Sequence, residues 1–210
     1  MVYSQSMKKL FIVRHGETEF NRQNIVQGSG VDTNLNELGI KQAQAFYQSY
    51  QHYPFEHVFT SALKRSRQSV ASFIEKGIPH TMLPELNEIS WGDFEGKQQT
   101  PEQKAIYWEM INNWNNGDLH AKIPNGESPF EMQQRQERAL NLILNLPESE
   151  ILICMHGRAM KSFLCLLLNQ SLTKMEQFQH RNLCLYEVHI NAEENHLIRA
   201  NDVTHLLHLM

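Results

Sequence analysis

The chain has 210 residues, with 19 lysines and arginines against 23 aspartates and glutamates and a formal net charge of −4. This length suits one large α/β domain with a substantial core, and the absence of a basic run speaks against nucleic acid or anionic lipid as a partner. The longest apolar stretch, Phe163 to Leu168, is far short of the ~20 residues of a membrane span, and the run Leu10 to Val13 is too short to be expected to serve as a signal-peptide core. Cys154, Cys165 and Cys184 sit in apolar segments without metal-ligand spacing, which points to the reducing cytoplasm.

Residues 1–6 read as an extension without structure of its own, with Met7 as an alternative start, and 7–210 as a single domain. Leu10-Phe11-Ile12-Val13 has the pattern of a buried parallel strand. It runs straight into Arg14-His15-Gly16-Glu17-Thr18, which brings a cation and an imidazole to the carboxyl edge of a sheet, where α/β proteins hold ligands. Gly16 permits close backbone approach, and Thr18 can cap a following helix. The pattern suggests a phosphate site with a histidine nucleophile; the bland alternative is an Arg-His pair that merely ends a strand.

Asn36 to Gln51 is helical by spacing, with Ile40, Ala43, Tyr47 and Tyr50 on one face. His57 to Thr60 is a short strand, after which Ser61 is expected to cap a helix running through Leu63, Val70, Phe73 and Ile74 to Gly77, with Arg65 in its first turn. Leu86 to Gly96 is a glycine-punctuated aromatic loop offering Glu88, Asp93 and Glu95 as acids. Thr100-Pro101-Glu102-Gln103 and Ser128-Pro129-Phe130-Glu131 both read as capping boxes with proline at the first helical position. Their helices run through Ile106, Met110, Ile111 and Trp114, and through Ala139, Leu142 and Leu146.

Glu150 to Met155 is a second buried strand, and it too ends in His-Gly, at His156-Gly157, before the apolar helix Ala159 to Leu168. Packing gives core histidines no reason to share that punctuation. With further strands near Thr81, Leu185 and Ile198, the alternation predicts a three-layer α/β/α sandwich around a mostly parallel mixed sheet. His205 and His208 could pair as metal ligands, but a solvated tail is preferred.

Taken together, these motifs resemble the histidine phosphatase superfamily, the phosphoglycerate mutase-like family. The resemblance rests on Arg14-His15-Gly16, Asn21, Gln27-Gly28, Leu35, Gly39, Gln42 and Ala43, Ser61-x-Leu63-x-Arg65 with Gln68, and Glu88 with Trp91-Gly92 and Glu95-Gly96. Gly126-Glu127-Ser128, His156-Gly157 and Asn182 complete a series that runs in the family's order from about Lys8 to Asp202. Asn34 and Asn36 depart from the family's usual proline and threonine. Arg158 stands where a small or polar residue is common, adding either a positive charge near the site or a solvent-facing helix start.

The chemistry expected of such a site needs no metal and no cofactor, because side chains supply the cations. His15, neutral and held through its other ring nitrogen by a backbone carbonyl, would attack phosphorus. Arg14 and Arg65 would fork onto phosphoryl oxygens. His156, protonated beside the dianion, and Asn21 would complete the cradle, with Gln27, Gly28 and Gly157 lining it. Glu88 is the expected proton donor to the leaving alkoxide.

The resemblance implies a phosphatase for a small phosphorylated metabolite. A mutase must also hold the substrate's carboxylate, yet the segment 97–125, expected to lie over the site as a lid, contains Lys97, Lys104 and Lys122 but no arginine. Phosphoglycerate mutase-type transfer is therefore the runner-up. A non-catalytic phospho-ligand binder is a weaker third reading, since such proteins normally lose the nucleophile or an arginine. The sequence is silent on oligomeric state.

Overall fold

The computed structural model describes residues 7–209; the expected extension over 1–6 lies outside the described residues. The strands are β1 (Lys8–Arg14), β2 (His57–Thr60), β3 (His80–Met82), β4 (Glu150–Met155), β5 (Leu185–Ile190) and β6 (His196–Asp202). They form one sheet in the order β3-β2-β4-β1-β5-β6. β1–β4, β2–β4 and β2–β3 pair in parallel, whereas β1–β5 and β5–β6 are antiparallel. This is the mixed sheet expected from the alternating pattern.

The helices are α1 (Glu19–Arg22), α2 (Glu37–Tyr50), α3 (Lys64–Ser69), α4 (Ala71–Glu75), α5 (Pro101–Asn115), α6 (Pro129–Leu144) and α7 (Gly157–Leu167). The central strands are apolar on both faces, and their residues divide by alternation. Leu10, Ile12, Ile151, Ile153 and Met155 join the core under Met132, Ala139, Ile143 and Phe163 of α6 and α7. Phe11, Val13, Leu152 and Cys154 join the core under Ala45 and Phe46 of α2 and Phe73 of α4. Two cores on one sheet make the three layers.

The cap signals hold. Thr18, Thr100 and Ser128 each complete a reciprocal capping box, and Asn36 caps α2 by accepting from Gly39 N. Ser61 differs from expectation. The residue at the N-cap of α3 is Leu63, with no side-chain cap bond, and the anticipated single helix breaks in two at Val70. Ser69 Oγ donates to Arg65 O at 2.6 Å, and such back-bonding competes with the helical ladder just where Val70 departs from helical geometry, at φ −124°.

His205 also departs from expectation. It is buried at 8 % exposure, packs edge-on against Phe46, and donates from Nε2 to Leu183 O at 2.9 Å. It is a core residue, while His208 is exposed.

Candidate active site

Adjacency of β1 and β4 decides where the two His-Gly motifs meet. The parallel register pairs Arg14 with Met155, so both chains leave the sheet at the same carboxyl edge with His15 and His156 as the next residues. His15 N donates to Met155 O at 3.0 Å, extending the ladder one step beyond the strands. The two rings then face each other, with centroids 5.1 Å apart and planes inclined at 53°. His15 is 3 % exposed and His156 is fully buried.

Each ring is held at one nitrogen. His15 Nδ1 donates to Gly16 O at 2.7 Å, as the sequence suggested, which leaves Nε2 unprotonated in the neutral ring. His156 Nε2 lies 2.7 Å from Ser61 Oγ, and Ser61 Oγ is in turn 2.7 Å from Ser66 Oγ. This relay from the end of β2 was not read from the sequence, where Ser61 looked like a helix cap.

Burial, then the guanidiniums of Arg65 and Arg14, push His15 well below its ordinary pKa. Burial, Arg65, His15 and Arg14 do the same to His156. The ligand-free His156 is therefore neutral at neutral pH, while the imidazolium is expected only with a dianion bound beside it. Taking a charged ring out of water next to two cations is too unfavourable.

Arg65 is wholly buried, and its terminal nitrogens donate to Val31 O at 2.6 Å and Gly28 O at 3.1 Å. Burial draws it down to about 10, still a cation at neutral pH. Ser69 Oγ, which accepts from Gly16 N at 2.8 Å, ties this arginine's helix to the His15 loop. Arg14 Nε, Arg65 Nε and His156 Nδ1 are all buried without a hydrogen-bond partner. Unsatisfied buried donors are costly and uncommon. Three of them around one pair of imidazoles make an environment suited to a multivalent oxyanion.

Among the three candidate acids, Glu88 is the buried one. Its Oε2 accepts from Arg158 N at 3.0 Å and its Oε1 from Ala159 N at 2.8 Å and Ile89 N at 2.9 Å, so it closes the N-terminus of α7 beside His156. Arg135 fixes the Glu88 backbone: it pairs with Glu127 and donates to Glu88 O at 3.1 Å and Glu85 O. Asp93 is exposed and accepts from Asn125, while Glu95 accepts from Trp91 N and presses on Gly28.

Asn21 stays close to the site: its Oδ1 receives Asn182 Nδ2, which also donates to His15 O at 3.0 Å. Gln27 is turned to the scaffold, donating to Thr18 Oγ1 at 2.7 Å and accepting from Thr33 Oγ1 at 2.5 Å. Gly28 contributes the carbonyl that holds Arg65, and Gly157 lies under the ring of His180, which a Cβ there would meet at 2.7 Å. Burial, then the charges of Arg14, Lys161 and Arg158, push His180 down to about 2. No spacing rule marks His180 in the sequence, because it reaches the site from a loop.

Comparison with known proteins shows the family. The sequence matches the histidine phosphatase superfamily (branch 1) over residues 10–203. The chain belongs to that superfamily. It is similar to the alpha-ribazole phosphatase of Shigella flexneri, a solved structure, at 28% identity and TM-score 0.81, covering 92% of this chain and 96% of that one. It is similar at 25% identity and TM-score 0.80 to the phosphoserine phosphatase of Entamoeba histolytica solved with 3-phosphoglyceric acid, over 95% of this chain and 100% of that one. A Yersinia pestis protein named "Probable phosphoglycerate mutase GpmB" is 34% identical over 188 residues, 87% of this chain and 85% of that protein. The expected family, fold and phosphatase class are borne out. Among the described residues no helix is long and apolar enough to cross a membrane.

Proposed function

We propose that this member of the superfamily hydrolyses a small phosphomonoester through a phosphohistidine on His15. His15 Nε2 attacks phosphorus, forming the P–N bond as the ester P–O bond breaks. Glu88 gives its proton to the departing alkoxide, then takes one from the water that cleaves P–N and releases inorganic phosphate. Arg14 and Arg65 hold the phosphoryl oxygens, and His156, with Nε2 accepting from Ser61 Oγ, offers Nδ1–H to them. Both Glu88 oxygens accept backbone N–H groups in the free protein, so the proton-donor role requires one of those bonds to open when substrate enters.

The observation that carries this reading is the pair of facing imidazoles, one tied at Nδ1 to Gly16 O so that Nε2 is free to attack. The buried free thiols Cys154, Cys165 and Cys184 support a cytoplasmic setting. Release of inorganic phosphate from a panel of sugar, nucleotide and glycerate phosphates, run beside a coupled assay for 2-phosphoglycerate, tests the reaction. Efficient interconversion of glycerate phosphates without phosphate release would replace hydrolysis with mutase chemistry.

A further inference from the structure

The relay behind His156 has one hydroxyl more than is needed to hold a neutral ring. Ser61, Ser66 and His156 are all fully buried. Ser61 Oγ lies 2.7 Å from His156 Nε2 and 2.7 Å from Ser66 Oγ, and it accepts from Leu63 N at 3.2 Å. Ser66 Oγ in turn lies 2.8 Å from Leu63 O and 3.2 Å from Ser61 O, two atoms that can only accept. The chain of oxygens therefore begins at an imidazole nitrogen and ends on main-chain carbonyls at the start of α3.

Each hydroxyl has one proton to give, which allows two complete arrangements on the same heavy atoms. With His156 neutral and protonated at Nδ1, Ser61 donates to Nε2 and Ser66 donates to Ser61 Oγ. With Nε2 protonated, the ring donates to Ser61 Oγ, Ser61 donates to Ser66 Oγ, and Ser66 donates to Leu63 O. Every donor has an acceptor in both. Without the Ser66 hydroxyl the first arrangement survives, because Ser61 still donates to Nε2. The second does not: the remaining partners of Ser61 Oγ, Nε2–H and Leu63 N, are both donors, and the buried Ser61 proton is left without an acceptor.

We propose that Ser61 and Ser66 form a hydroxyl switch that lets His156 take up a proton at Nε2 when the substrate dianion binds, with Ser66 as the positioning residue that accommodates the charged ring. The proton comes from solvent and the two hydroxyls reverse. The neutral ring that first meets the phosphoryl group becomes an imidazolium, and its Nδ1, unpartnered in the free protein, keeps its own proton for the anion. The charged and titratable groups around the ring are His15 and Arg14 at the end of β1, Arg65 on α3, Arg135 on α6, Glu88 bonded to the start of α7, and His180 against Gly157. The cations among them oppose an imidazolium until a dianion offsets them, so the ligand sets the switch. The inference rests on the phosphatase reading for its anion and goes beyond it in assigning how the second histidine changes charge.

Sulfate is the probe, because it stays a dianion throughout the range tested and any proton taken up belongs to the protein. In the wild-type chain, nitrogen NMR of the imidazoles should show His156 protonated at Nδ1 alone without sulfate, and at both nitrogens with sulfate at pH ~7. Ser66→Ala should weaken sulfate binding about tenfold between pH ~6 and ~7, the scale of one buried donor left unpaired. Its curve of affinity against pH should lie about one pH unit to the acid side, and should meet the wild-type curve at alkaline pH, where both proteins bind with a neutral ring. Ser66→Thr keeps the hydroxyl and should keep the wild-type profile, which separates loss of the acceptor from disturbance of α3. A wild-type His156 that stays singly protonated in the sulfate complex would overturn the switch. So would a Ser66→Ala loss that is absent, or equal at every pH. Either result leaves the phosphatase reading intact, since turnover of p-nitrophenyl phosphate tests that separately; if no phosphate is released and no sulfate binds, both end together.

Discussion

The ring centroids of His15 and His156 lie 5.1 Å apart, and only one of the two histidines has its remaining nitrogen held by a main-chain carbonyl. That asymmetry assigns their parts: a carbonyl partner forces Nδ1–H and a free Nε2 lone pair on His15, whereas the Ser61 hydroxyl can serve His156 as donor. Radiolabelled substrate should therefore leave an acid-labile, alkali-stable phosphoryl group on the protein. His15→Ala should abolish the label and reduce turnover by roughly 10³-fold or more, the scale on which removal of a nucleophile acts. Normal labelling of that variant would move the nucleophile elsewhere.

Glu88→Gln tests the proton donor. The amide is isosteric and can still accept at one oxygen from the α7 N-terminus, so the loop held by Arg135 should survive. Turnover should drop by about 10²–10⁴-fold, the usual contribution of a positioned acid–base group, while vanadate or phosphate binding is spared. The drop should be smallest for esters with good leaving groups such as p-nitrophenyl phosphate, which need little protonation. A larger loss from Asp93→Asn or Glu95→Gln would show that the wrong carboxylate is assigned.

What the sequence discloses here follows the range of the interactions involved. Strand ends, the Thr18, Thr100 and Ser128 boxes and the two His-Gly turns are local patterns, written within a few residues, and they are where expected. Ser61 reads as a cap by the same local logic. Its partner His156 is 95 positions away, however, and the parallel pairing of β2 with β4 brings them together. The same holds for Arg158, whose solvent-facing alternative fails because Tyr107, Trp91 and Glu176 converge on it from three separate segments. Gln27 stands where mutase-like relatives often carry threonine, and its amide is occupied by Thr18 and Thr33, contacts that no motif encodes.

Buried and half-buried neutral histidines make the fold acid-sensitive. His15, His57, His80, His156, His180 and His205 all lie below their ordinary pKa, in each case with burial as the first cause. Below pH 6.5 the unfolded chain takes up protons that the folded chain refuses, so the unfolded state is favoured and stability falls as pH drops. For His180, held down to about 2, the window extends from 6.5 through the whole acid range. Urea midpoints at pH ~5 and ~7 should differ markedly in the wild-type protein. His180→Asn should make the dependence shallower, by roughly 1 kcal/mol per pH unit, since each fully coupled group contributes about 1.4. An unchanged slope would mean that this ring protonates within the fold.

Gly39 provides a test of how the catalytic loop is supported. It lies in the first turn of α2 with an ordinary helical backbone, so conformational freedom does not require glycine there; space does. A Cβ at this position would collide with Glu17 O and stand 2.8 Å from Glu17 N, backbone atoms in the segment that follows His15. On the other side, a Cβ on Gly16 would lie 2.7 Å from Gly39 O, so helix and loop pack backbone against backbone. Gly39→Ala must push the loop away, because no flexible side chain is available to yield, and overpacking of this kind costs about 1–3 kcal/mol. The displacement would pass to Gly16 O, the acceptor that orients His15. Turnover should therefore fall along with the thermal midpoint, and by more than in Gly77→Ala, where a Cβ meets nothing within 4 Å and only the positive φ of 95° is strained. If Gly39→Ala lowered stability with kcat untouched, the contact would support the fold alone and His15 would owe its orientation to other neighbours.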